Sequence, residues 1–269
     1  MEHAVIRRAF AGLSDGQIHY AECGAPHAPA VLLLHQTPRS WAEYRAVLPL
    51  VGERYRAIAM DTIGFGDSAA PARPATVERW AVVAIELLDA LGIARAHVVG
   101  HHTGGVIAVE LAAAYPERVG RLVLSSTPFI DAAFRSARAG APGIDEVERQ
   151  PDGTHLAALW QRRQAFYPPG RPDLLHAFVL DALKVIERIE DGHRAVAAYH
   201  MEERIGRITQ PVLVIRALAD PFASPHAAAL CAHLAQARLI DIPEGMVPLP
   251  DQLPATFARA VLDFLDADH

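Results

Sequence analysis

Residues 100–105 read Gly100-His101-His102-Thr103-Gly104-Gly105. They follow the β-branched pair Val98-Val99 and precede Val106-Ile107-Ala108-Val109-Glu110-Leu111-Ala112, which reads as a helix running to Tyr115. A strand that turns directly into a helix brings two backbones almost into contact, so the residues flanking the turn must be small. Gly100 and Gly104 meet that need. The apex residue is held in a strained conformation that lifts its side chain above the sheet. The frame is that of G-x-S-x-G, but the apex is His102. An imidazole is no simple substitute for a serine hydroxyl, which attacks only with a separate base beside it. The backbone N–H of Thr103, at the helix start, is aimed where negative charge would develop.

Outward from the turn, the rest of the chain alternates strand and helix. Residues 5–10 and 17–22 alternate apolar and polar around a turn at Ser14-Asp15-Gly16, which predicts an antiparallel hairpin. Ala30-Val31-Leu32-Leu33-Leu34 is continuously apolar, as in a strand covered on both faces. Further strands are expected at 55–60, 96–99, 121–125, 211–215 and 237–242. Helices are expected at 41–51, 77–91 and 254–265. Strands alternating with helices imply a parallel sheet. Between 128 and 208 strand signals vanish, and prolines and glycines punctuate helical pieces. The expected organisation is a sheet domain of 1–127 and 209–269 with a helical cap, 128–208, inserted into it.

A chain of 269 residues is long enough for one such domain with a sizeable core. Its net charge of −6 gives no basis for a nucleic-acid partner. Two cysteines, Cys23 and Cys231, lack metal-ligand spacing and fit a reducing cytoplasm. No apolar run reaches membrane-spanning length. Met1-Glu2-His3-Ala4 lacks the charged-then-apolar order of a secretory signal.

Several motifs in order resemble those of the α/β-hydrolase fold family, specifically its small capped members. His35-Gln36-Thr37-Pro38-Arg39-Ser40-Trp41 is similar to the family's oxyanion loop, H-G-x-P-x-S-W. Residues 61–68, Asp61-Thr62-Ile63-Gly64-Phe65-Gly66-Asp67-Ser68, resemble its D-x-x-G-F-G-x-S loop. Leu218-Ala219-Asp220-Pro221 resembles the loop that carries the catalytic acid, and residues 242–250 the final loop, where the family has Gly-His. The resemblance spans nearly the whole chain. It implies a mostly parallel eight-stranded sheet flanked by helices, with the helical cap inserted. It also implies that His102 stands at the nucleophile position, Met246 at that of the general base, and Asp220 at that of the acid. Gln36 replaces a loop glycine.

Two readings of these replacements are open. In one, the site has decayed and the protein binds a small molecule without reacting it. In the other, the base has moved: His102 reaches Asp220, and flexible Met246 leaves room for the larger ring. Decay at such a turn more often leaves Ala or Gly. A hydrolase with a different nucleophile, such as Asp131 after the sixth strand or a cap residue, is a third reading; Asp131 is also a candidate alternative acid, and its structural alternative is to cap or solvate the start of the inserted segment.

Thr37 is the expected second oxyanion donor beside Thr103. His35 is expected to brace the oxyanion loop, and His101 to pack beneath the site. A metal held by His35, His101, His102 and Asp220 is disfavoured, because adjacent residues on a sharp turn point apart. Trp160, Phe166, Tyr167, Phe178, Tyr199 and His200 are candidate pocket residues or the cap's own core. His200, Glu202 and Glu203 read as a solvated helix face. The combined expectation is a cofactor-independent, monomeric or homodimeric enzyme using general acid–base chemistry on a small carbonyl-containing molecule.

Overall fold

The computed structural model describes residues 5–267; Met1–Ala4, read above for a targeting signal, lie outside them. Strands β1 (Arg7–Leu13) and β2 (Gly16–Cys23) form the expected antiparallel hairpin. They lead into β3 (Ala30–Leu34), β4 (Arg56–Met60), β5 (Ala96–His101), β6 (Val119–Ser125), β7 (Val212–Ala217) and β8 (Ala237–Ile242). The eight strands form one sheet in the order β1-β2-β4-β3-β5-β6-β7-β8. Among the described residues, only β1–β2 and β2–β4 pair antiparallel. The order reverses between β3 and β5. Crevices for ligands form outside the carboxyl ends of strands at such a reversal.

The periodicities explain the layers. β3 is buried at all five positions, as its unbroken apolar run requires. On one face pack α2 (Val77–Ala90) and α3 (Thr103–Ala114), with Leu32, Val98, Leu122 and Val214 beneath them. On the other pack α1 (Val47–Gly52) and α10 (Pro254–Leu265), over Leu33, Val99, Val123 and Leu213. Alternate residues of the central strands thus serve opposite cores. Eleven of the twelve α3 residues are buried. The charge among them, Glu110, is satisfied by Arg204 at 2.7 and 2.8 Å and by the Tyr199 hydroxyl at 2.7 Å.

The expected helix over 41–51 is a correction. It is a 3-10 turn, Trp41–Tyr44, followed by α1. Pro49 has no N–H, and its ring would collide with the carbonyl four residues back, so it is tolerated only in a first turn. Two helices escaped the sequence reading: α8 (Ala227–His233) and α9 (Leu249–Gln252). Both are too short to show a period.

Between β6 and β7 the chain forms α4 (Ala132–Arg138), α5 (Thr154–Gln164), α6 (Pro172–Lys184) and α7 (Asp191–Ala198), with no strand. Leu159, Tyr167, Leu174, Phe178 and Ile189 cluster there with Val247 of the loop after β8. The second half of the insertion, including Val196, Met201 and Ile205, packs into the α2–α3 core.

Candidate active site

His102 is the first residue after β5, at the sheet's central reversal, with φ +47° and ψ −114°. That is the left-handed region, costly for a residue with a Cβ. The turn is over-determined by its neighbours. A Cβ on Gly100 would stand 2.2 Å from the Gly104 carbonyl oxygen, and one on Gly104 would stand 1.9 Å from that of Leu34. The carbonyl of His102 itself accepts from the N–H groups of Gly105 and Val106. The N–H of Thr103, first in α3, has no acceptor within a helix.

His102 Nε2 lies 2.8 Å from Asp220 Oδ2. The approach is off the line of a well-formed hydrogen bond, yet each atom is buried with no other polar partner. The Asp220 carboxylate is built for this role. Its Oδ1 accepts from the N–H of Phe222 at 2.9 Å and of Ala223 at 3.2 Å. Burial alone would raise its pKa; the neighbouring His102 ring and the Phe222 N–H outweigh burial and hold it at about 2. Asp220 is therefore an anion at neutral pH. It lies on the loop after β7, 118 positions along the chain from His102, and only the sheet order brings the two together.

The two neighbouring histidines are committed to structure. His101 is fully buried; Nδ1 is 3.0 Å from the Ser125 hydroxyl and Nε2 is 2.8 Å from the Val247 carbonyl. Burial and the adjacent His102 push its pKa down to about 3, so the ring is neutral. It then donates from Nε2 to Val247 and accepts at Nδ1 from Ser125. His35 is likewise buried and its pKa is lowered by burial. Its Nδ1 donates to the Gln36 carbonyl at 2.7 Å, and Nε2 accepts from the Thr62 N–H at 3.0 Å. The ring pins the loop after β3 to the loop after β4.

Gln36 and Thr37 follow β3 and face His102 across a cavity of about 190 Å³, also lined by Thr103 and Phe222. The hydroxyls of Thr37 and Thr103 are 2.9 Å apart. Gln36 is fixed by Glu43, which accepts from its backbone N–H at 2.9 Å and from its side-chain amide at 2.5 Å. The Gln36 N–H is thus engaged, and Thr37 and Thr103 both line the cavity beside His102.

Other expected residues lie elsewhere. Met246 and Trp160 line a separate cleft of about 440 Å³ with residues 167–172. Met246 is thus not among the residues that line the His102 cavity. Val247, one residue on, is the one that turns inward. Asp131 accepts from the Phe134 N–H at 2.7 Å and caps α4. Tyr167 and Phe178 belong to the insertion's own cluster, Tyr199 binds Glu110, and His200 is exposed. Phe166 packs against a residue of the cavity wall, its ring 4.6 Å from that of Phe222.

Sequence reasoning missed Arg138, Arg163 and His193, which also line the cavity. Arg163 grips Asp145 with two nitrogens, and His193 Nε2 is 2.9 Å from the same carboxylate. These residues come from α4, α5 and α7, with no shared spacing to betray them.

A glycine-framed turn after the fifth strand, an acid after the seventh, and an eight-stranded, mostly parallel sheet define the α/β-hydrolase fold. The sequence profile described as "alpha/beta hydrolase fold" matches residues 29–246, and the chain belongs to that family. Among its relatives, epoxide hydrolase 4 of Mus musculus is 34% identical over 47% of the chain, and the match spans 35% of that protein's length. The 3-oxoadipate enol-lactonase 2 of Acinetobacter baylyi is 24% identical over 92% of both chains. A crystal structure of a hydrolase from Pseudomonas aeruginosa superposes with a TM-score of 0.79, at 26% identity, covering 97% of this chain and 99% of the other. Among the described residues, no helix is long and apolar enough to cross a membrane.

Proposed function

We propose that this protein is an enzyme of the α/β-hydrolase family in which an imidazole at the elbow replaces the usual nucleophile. His102 acts as general acid or base on a small carbonyl-containing molecule, with no covalent serine ester and no cofactor. The observation that carries the reading is the 2.8 Å approach of His102 Nε2 to the buried Asp220 carboxylate at the edge of a cavity. Asp220 favours the tautomer with a proton on Nε2, as the triad aspartate does for its histidine. That leaves Nδ1 to take a proton from the substrate or from water, and to return it. The imidazolium so formed is stabilised by Asp220. Negative charge developing on the substrate oxygen falls between the N–H groups of Thr37 and Thr103, and such donors typically contribute about 3–4 kcal/mol each.

This machinery suits hydrolysis by direct attack of water, C–C cleavage, decarboxylation or cyclisation. The helical insertion serves as a cap that closes over the cavity, in a monomer or homodimer of a reducing cytoplasm.

The test uses small lactones, esters and β-dicarbonyl compounds incubated in D₂O and followed by NMR for product and for solvent deuterium at carbon. General acid–base groups contribute about 10²–10⁴-fold, so His102→Ala is expected to lose that much. Asp220→Asn should lose less, since Asp220 only orients and stabilises. Undiminished turnover in His102→Ala removes the proposal. A fluorophosphonate probe should leave the intact mass of the protein unchanged. A ligand bound alike by wild type and His102→Ala, with no product from either, would identify a binding protein instead.

A further inference from the structure

The wall of the His102 cavity has an asymmetric chemistry. Its polar and charged members are Gln36, Thr37, Thr103, His102, Arg138, Arg163 and His193, and no Asp or Glu lines it among the described residues. The chain as a whole carries a net charge of −6, so this composition is local and runs against the average. The carboxylates nearby, Asp220, Asp145 and Glu190, stand behind the wall and are already occupied, Asp220 by His102 and the N–H groups of Phe222 and Ala223. Asp145 is fully buried and takes Arg163 and His193. Glu190 accepts from the N–H groups of Ile144 and Asp145.

Two arginine groups remain for a ligand. Arg163 is buried with its guanidinium stacked 5.2 Å over the Phe178 ring, and its Nε and Nη2 hold Asp145, which leaves Nη1 without a hydrogen-bond partner among the described residues. Asp145, kept well below the usual carboxylate range despite its burial by Arg163 and His193, fixes the guanidinium in place. Arg138 is half-buried, and the one protein contact recorded for its side chain is to the Pro142 carbonyl at 3.3 Å. No carboxylate lies within ion-pair distance of it among the described residues. Pro128, Phe134, Ile144, Val196 and Phe222 supply the apolar remainder. At about 190 Å³ the cavity is smaller than the roughly 300–1,000 Å³ typical of drug-sized ligands.

We propose that Arg138 and Arg163 form a carboxylate subsite, so that the ligand of this cavity is a small oxo acid or lactone acid whose carboxylate is held by the two guanidinium groups while its carbonyl lies against His102. The inference rests on reading the cavity as the substrate site. Guanidinium groups recognise carboxylates through paired, charge-assisted hydrogen bonds. A carboxylate anchored at the α4–α5 side of the cavity orients the other end of a short molecule towards the apex.

The experiment compares 4-oxopentanoate with its methyl ester, a matched pair that differs in charge, by isothermal titration at pH 7.5. The acid is expected to bind at least about tenfold more tightly, a difference of 1.4 kcal/mol. Arg138→Gln should erase that preference by weakening the acid and leaving the ester unchanged. Because Arg163 also holds Asp145, Arg163→Lys is used there, with circular dichroism to check the fold; a Lys cannot reproduce the two-pronged grip, so the preference should shrink. Equal binding of acid and ester, including no binding of either, overturns the proposal, as does an unaltered preference in Arg138→Gln. Binding is measured apart from turnover. A protein that prefers the acid but converts nothing keeps this inference and loses the enzymatic one.

Discussion

At the scale of single residues, the elbow shows how one substitution re-assigns chemistry. A serine at position 102 would be a hydroxyl with no base in reach. The ring that would activate it is missing from the final loop, and His101 is neutral and hydrogen-bonded at both nitrogens. His102→Ser is therefore expected to show no more hydrolysis of p-nitrophenyl acetate than His102→Ala. The pair His102→Ser with Met246→His should be equally inactive, because position 246 borders the other cleft. Esterase activity in either variant, proportional to enzyme and blocked by a fluorophosphonate, would contradict the geometry assigned to the final loop.

At the scale of elements, the turn between β5 and α3 has almost no tolerance. Gly104→Ala would drive a methyl group to 1.9 Å from the Leu34 carbonyl oxygen, a contact no rotamer can relieve. Overpacking against movable side chains costs about 1–3 kcal/mol. Against backbone the cost should reach at least the top of that range, seen as a lower urea midpoint at unchanged slope. The start of α4 offers a contrast. Asp131→Ala removes a helix cap and should cost about 1 kcal/mol. It should leave chemistry at His102 intact, which separates the capping role from the alternative of Asp131 as nucleophile.

At the scale of the whole molecule, the buried histidines govern the response to acid. Burial and nearby arginines depress the pKa of His97 to about 4, and burial and His102 that of His101 to about 3. An unfolded histidine titrates near 6.5. Between these values the unfolded chain binds protons that the native one refuses, so stability falls as the pH drops from about 6.5 towards 3. Asp220, held at about 2 against an unfolded value near 3.9, adds a loss below pH 4. Glu43 acts in the opposite direction. Its burial raises its pKa to about 7, so protonation favours the native state as the pH falls from about 7 to 4. His35, whose pKa burial also lowers, joins these two histidines, and Asp251, whose pKa burial raises, joins Glu43; three histidines against two carboxylates leave a net loss. The urea midpoint should decline from pH 6.5 to 4, and Glu43→Gln should steepen that decline. A midpoint that rises on acidification would refute the balance.

What the sequence settled by itself was local. Glycines at 100 and 104 around a β-branched strand and an apolar helix dictate an elbow, because only hydrogen side chains permit that approach of backbones. Unbroken apolar strands dictate a sheet covered on both faces, and the order of motifs dictated which family it would join. Pairing His102 with Asp220 was also legible, since a known fold fixes which loops converge. Tertiary structure alone decided the rest. Whether residue 246 or 247 turns inward depends on how the final loop meets the insertion, and a one-residue change in phase sends a side chain to a different cleft. Arg138, Arg163 and His193 lie on three helices whose spacing encodes only a solvent face and a core face. Their convergence on one small cavity is a property of how those helices pack, and packing is determined by contacts between residues far apart in the chain.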